Sequence, residues 1–250
     1  MIELLVLGAI VYAIVAAVKR RRPGDVPDRG GVGVGRTFRY LMLLIALVVA
    51  AIGLTNLLGL AMETADARRG ALAVPLAMSI VALPTFGILA AWVWRLHRDD
   101  PTEREAPAWS LYLNMALVVT LAVAIGNAFA VADRVIAAEW RGAAVAGLVV
   151  WGLAWAGHWW AWRTWRPVVG PNVQLWLGSG IGLWVGAVSA AVTINLLVRR
   201  LFDAASDVAV SGDASELALA AAGIAIGGIA WAWHWLRHGF GAVSYTHLTL

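Results

Sequence analysis

Apolar residues run along this chain in blocks of about twenty, the length a helix needs to cross a hydrocarbon core about 30 Å thick. The polar residues fall between the blocks rather than within them. A water-soluble helix would carry a polar face at helical spacing, and most of these runs have none. The pattern predicts an all-α, polytopic membrane helical bundle of about seven transmembrane helices, an N-terminal helix followed by three repeated two-helix hairpins.

Residues 2–18 are apolar apart from Glu3 and run into Lys19-Arg20-Arg21-Arg22. A cleavable signal peptide has the opposite order, so residues 1–22 are predicted as a first membrane helix with a basic stop. Residues 23–38, with Pro23, Pro27 and glycines at alternate positions from Gly31, read as a flexible cytoplasmic linker. The G-x-G spacing there follows no strand and is not a dinucleotide fingerprint. Helices are then predicted over 40–62, 71–94, 109–132, 143–162, 175–198 and 217–236, with a kink at Pro84. They group as hairpins 39–98, 107–163 and 174–240. Residues 244–250 resemble a translated sequencing-adapter read-through, and the natural chain is expected to continue beyond about Val243. His247 accordingly carries no functional weight.

Composition agrees with the pattern: 61% of residues are hydrophobic and 14% charged, and the mean hydropathy is +0.77. The formal charge of +4 reflects topology rather than nucleic acid, because the basic residues lie between apolar runs. Lys19 to Arg22, Arg29, Arg36, Arg39, Arg95, Arg98, Arg104, Arg163, Arg166 and Arg237 fall on one side of the predicted topology. Only Arg68, Arg69, Arg134, Arg141, Arg199 and Arg200 fall on the other. The positive-inside rule then places the N-terminus outside and the more basic side in the cytoplasm. The absence of cysteine removes disulfides, thiolate catalysis and cysteine metal sites.

A phrase recurs at the ends of the hairpins: Trp94-Arg95-Leu96-His97, Trp155-Ala156-Gly157-His158 and Trp231-Ala232-Trp233-His234. Each hairpin also opens on an aromatic, Tyr40, Tyr112 or Trp176, so an aromatic and a Trp-His pair are expected to face one another at the cytoplasmic interface. Trp155-Ala156-Gly157-His158-Trp159 and Trp231-Ala232-Trp233-His234-Trp235 resemble the W-A-x-H-W phrase of the bacterial domain-of-unknown-function family DUF5671, over roughly residues 37–240. The first copy departs, with Arg95 in place of the small residue and Arg98 after His97. The resemblance implies a multi-pass protein of the bacterial inner membrane and supplies no catalytic residue.

The candidate interfacial motif comprises Trp94, His97, Trp155, His158, Trp231 and His234. At helix C-termini these histidines are expected to act as caps and anchors; the alternative is a bis-histidine haem b at His158 and His234. The candidate intramembrane polar residues are Asn56, Asn114, Asn127 and Asn195, read as interhelical hydrogen bonders or as the lining of a polar path. No Asp, Glu, Lys or Arg is predicted at mid-membrane, which argues against an ion or proton pathway. Gly178, Gly182 and Gly186 form a small-x-x-x-small face for packing within the chain or for a dimer. Neither a catalytic residue, a metal site nor a resident cofactor is expected. The expected partners are the lipid bilayer and either a membrane-protein partner or a second copy, with no nucleic acid. The function expected is that of a non-enzymatic structural, sensory or partner-binding membrane component. The alternatives are a small transporter or channel lined by Asn and Thr, and a haem electron-transfer protein.

Overall fold

A computed structural model describes residues 30–63, 71–203 and 213–236 of the chain. The first predicted helix (1–22) and the tail (244–250) lie outside the described residues. Six α-helices follow in order among those described: α1 (Gly30–Ala61), α2 (Ala73–Asp99), α3 (Pro107–Ile136), α4 (Gly142–Thr164), α5 (Val173–Asp203) and α6 (Asp213–His234). A 3₁₀ turn, Pro101–Glu105, links α2 to α3. All six helices are long and apolar enough to cross a membrane.

The described part of the linker, residues 30–38, is a correction: the chain is helical from Gly30, so α1 begins ten residues before the predicted Tyr40. Glycine disfavours helix, yet here Thr37 Oγ1 donates to the Gly33 carbonyl at 2.9 Å and Arg36 reaches Glu103 of the 3₁₀ turn. Tertiary anchoring outweighs local propensity. The loop predicted after Trp94 is likewise structured. Helix α2 runs through Pro84 to Asp99, and the 3₁₀ turn starts on Asp100, whose Oδ1 accepts from the Thr102 amide at 2.9 Å. The Thr102 hydroxyl and amide also hold the exposed Asp100 carboxyl below the usual carboxylate range.

Sequential helices pair as α1 with α2, α3 with α4 and α5 with α6. Helix α3 also touches α1, α5 and α6, and α4 packs on α1. The pairs are thereby joined through α3 and α4. The exterior is apolar: Val81, Ile88, Leu183, Trp184, Leu201 and Ile229 are all exposed. In water this surface would be an aggregation liability, whereas against lipid it costs nothing.

Glycines permit the closest approaches. A Cβ at Gly182 would collide with the backbone of Trp231, and one at Gly227 with the backbone of Gly186. The α5 small-residue face therefore lies against α6 of the same chain. By contrast, Gly228 meets nothing within 4 Å. At the far end, α3 closes in a Schellman turn: the Glu139 amide donates to the Arg134 carbonyl at 2.9 Å and the Ala138 amide to the Val135 carbonyl at 3.2 Å. Ala138 holds φ 55 there, a left-handed conformation that favours glycine.

Two outcomes follow for thermal unfolding in detergent. Gly227→Leu lowers stability by about 1–3 kcal/mol through overpacking, while Gly228→Leu, which enters open space, leaves it close to wild type. Ala138→Gly raises stability by about 1 kcal/mol by relieving the left-handed alanine.

Candidate functional site

All three W-x-x-H endings gather at the end of the bundle that carries Arg36, Arg39, Arg95, Arg98, Arg104, Arg163 and Arg166. Their histidines are buried rather than displayed at the surface: His97 and His234 are 1% exposed and His158 8%. Each ring bonds the carbonyl one turn earlier in its own helix. Nδ1 lies 3.0 Å from the Val93 oxygen in His97, 2.7 Å from Ala154 in His158 and 2.7 Å from Ala230 in His234. A carbonyl oxygen only accepts, so Nδ1 is the donor in all three; in the singly protonated ring Nε2 is then an acceptor. The shared spacing thus encodes one local bond made three times.

What faces Nε2 differs from copy to copy. At His158 the Tyr112 hydroxyl donates to Nε2 at 2.8 Å. At His97 Nε2 is buried without a partner, and the ring is enclosed by Trp109 at 4.1 Å, Trp165 at 5.4 Å and Tyr40 at 6.4 Å. The His234 ring lies against Trp159 and Trp155, its Cδ2–Nε2 edge on Gly178 of α5. The expected facing of aromatic and histidine is therefore present in the first two hairpins and absent from the third. There Trp176 is exposed and packs on Trp235, while its neighbours Gln174 and Leu175 turn inward. The register of α5 places its opening aromatic outside.

The motif tryptophans separate too. Trp94 is exposed on one side and stacks on Trp160 at 5.0 Å, with Trp165 edge-on at 4.7 Å. Trp155 and Trp231 are half-buried. His158 and His234 are not arranged as a free ligand pair, since both nitrogens of His158 are already hydrogen-bonded. An iron at Nε2 would have to displace Tyr112. Among the described residues no group of three or more His, Asp or Glu side chains stands together as a metal site.

The four candidate asparagines do not share a path. Asn56 and Asn195 face outward. Asn127, half-buried, donates to the Val123 carbonyl at 2.8 Å beside Gly147 of α4, where a Cβ would strike its side chain. Asn114 is buried between helices: Nδ2 donates to the Ser110 carbonyl at 2.8 Å, and Oδ1 accepts from the Gln174 amide at 2.9 Å. The first amides of α5 have no partner within their own helix, and a side chain of α3 caps that of Gln174, while those of Val173 and Leu175 donate to the Gly170 and Asn172 carbonyls. Nearby, the Trp109 indole donates to the Trp165 carbonyl at 2.9 Å and the Trp162 indole to the Pro171 carbonyl at 3.0 Å. These bonds satisfy the backbone that leaves α4 and enters α5.

Sequence reading missed Glu103. Although it belongs to a charged connection, it is 4% exposed, because its carboxylate is turned in against Arg36 and Tyr40 of α1. Its carboxylate accepts from Arg36 Nε at 3.0 Å and from the Tyr40 hydroxyl at 3.1 Å, with Arg39 Nη1 at 3.8 Å. The signal was present in Asp100-Pro101-Thr102-Glu103, an N-cap followed by proline and an acid three residues on. It marks a helical start where a solvated loop was expected. A different feature, a groove of about 350 Å³, opens between α4 and α6 over α3; Leu121, Ile125, Leu148, Trp155, Ile229 and His234 line it.

Six apolar spans with an apolar exterior and a polar, aromatic end are the features of a multi-pass helical membrane protein. Residues 36–143 match the family model described as Domain of unknown function (DUF5671), which takes in α1 from Arg36, α2, the 3₁₀ turn and α3. The two complete W-A-x-H-W phrases at 155–159 and 231–235 lie beyond the matched segment. No curated protein and no solved structure matches the chain.

Removing the Tyr112 hydroxyl leaves a buried imidazole acceptor unpaired. Tyr112→Phe is expected to lower stability by about 1–3 kcal/mol, and Trp176→Phe, at an exposed position, by less than about 0.5 kcal/mol. Parallel thermal unfolding of the two variants in detergent checks the difference.

Proposed function

We propose that the chain is a non-enzymatic integral membrane protein of the bacterial cytoplasmic membrane, acting as a structural, sensory or partner-binding component. Its basic, aromatic end faces the cytoplasm. The observation that carries this reading is how the polar groups of that end are used. The histidine Nδ1 atoms, Asn114, Trp109 and Trp162 all bond protein backbone, so they are committed to holding the helices rather than converging on a substrate. The outward positions of Asn56 and Asn195 count against a continuous polar path. The orientation rests on the excess of arginine at one end.

Because the chain has no native cysteine, single cysteines report on topology without background. With a membrane-impermeant maleimide on intact spheroplasts, Glu139→Cys is labelled and Thr102→Cys is labelled only after permeabilisation. The opposite pattern overturns the orientation. Substrate-dependent flux in proteoliposomes that disappears with Asn127→Ala would instead establish a transporter and overturn the non-transporting reading.

A further inference from the structure

The groove over α3 has Ile125 and Ala128 as its floor, Leu148 and Trp155 of α4 on one flank, and Ile229 and His234 of α6 on the other. Its flanks meet through rings, with the centroids of Trp155 and His234 6.0 Å apart. From that contact the groove runs along α4 to Leu148, about 10 Å of helix away. Counted from the start of α4 at Gly142, these two residues stand about 9 and 20 Å into the span, at acyl-chain depth rather than headgroup depth. His234 Nδ1 is spent on the Ala230 carbonyl and Trp155 Nε1 is shielded, so the wall offers carbon and no hydrogen bond.

Size and chemistry together select the occupant. A volume of about 350 Å³ spread over about 10 Å gives a cross-section of about 35 Å². A helix with its side chains is about 10 Å across and needs about twice that section, so neither a further span nor a helix of a second copy seats in the groove. A polar head, a quinone ring included, would find no partner there for its oxygens. A single hydrocarbon chain meets both limits. Lipid tails are as apolar as leucine, so the gain is not release from water. It is the dispersion contact that an unfilled groove would forfeit.

We infer that this groove seats one acyl chain of a membrane phospholipid, recognised through the chain and not through its headgroup, which completes the packing between α4 and α6. The site rests on the membrane reading above but not on which end is cytoplasmic. A reversed cysteine-labelling pattern leaves it standing, and an empty groove leaves the membrane reading standing.

Native mass spectrometry of the full chain, purified in a detergent whose steroid is too broad for the groove, counts the bound phospholipid. About one phospholipid per chain is expected to survive washing, with phosphatidylglycerol and phosphatidylcholine of the same chains retained to within about threefold of each other and short-chain phosphatidylcholine lost. Ala128→Phe, which fills the groove from its floor, lowers retention at least about fivefold. Val81→Phe, at an exposed position of α2, leaves it unchanged. Should Ala128→Phe fail to fold, Leu148→Trp fills the groove from its flank and is expected to give the same loss. No retained phospholipid, an equal loss with Val81→Phe, or a larger difference between the two headgroups overturns the site. A quinone retained instead, or a dimer that Ala128→Phe splits, gives the groove to another occupant and overturns the acyl chain.

Discussion

Inside a bilayer no water is on hand to satisfy a stranded polar atom, so a donor that enters the bundle is costly unless it finds an acceptor within the protein. The imidazole bond to the carbonyl one turn earlier is the form this constraint takes here, made at His97, His158 and His234 alike. The same local solution serves Thr120, which returns its hydroxyl to Ala116, and Asn127, which returns its amide to Val123. Once Nδ1 is tied down in this way, the rings stand in fixed orientations. The large aromatics of the same end can then pack on them.

From that fixed end the rest of the bundle is assembled. Tyr40 stacks on Tyr112 at 5.8 Å, so the openings of the first two hairpins meet directly. Glu103 links the 3₁₀ turn to Tyr40 of α1, and the Trp165 carbonyl receives the Trp109 indole, which ties α3 to the end of α4. The first contact joins two hairpins, and the others fasten the connections between helices at that end. The third hairpin is held differently, by glycine contacts between α5 and α6 and by Asn114 capping the start of α5.

Much of the fold was legible from residue order alone. Six predicted runs lie where α1 to α6 are found, with ends shifted by a few residues in most cases and by ten at the start of α1. The shift has a tertiary cause, because residues 30–38 are glycine-rich and become helical where Arg36 and Tyr40 meet Glu103. The candidate residues were legible as types but not in their roles. Nothing in the letters separates Asn114, which caps a neighbouring helix, from Asn56 and Asn195, which face outward. The rotation of each helix about its axis decides that, and an all-round apolar helix carries almost no signal of its rotation.

The sequence by itself determined that this chain is helical, apolar enough for six described spans, basic toward one end, and marked by a Trp-x-x-His phrase at the close of each hairpin. Block length, composition and local spacing are properties of residue order, so these features needed no contacts. Only the tertiary structure decided that the three histidines are buried, that the Tyr112 hydroxyl meets His158, that Trp176 turns outward, and that Glu103 leaves its loop for the interior. Each depends on which faces of distant helices are brought together, and that choice is set by the summed packing of the whole bundle rather than by any one stretch of it.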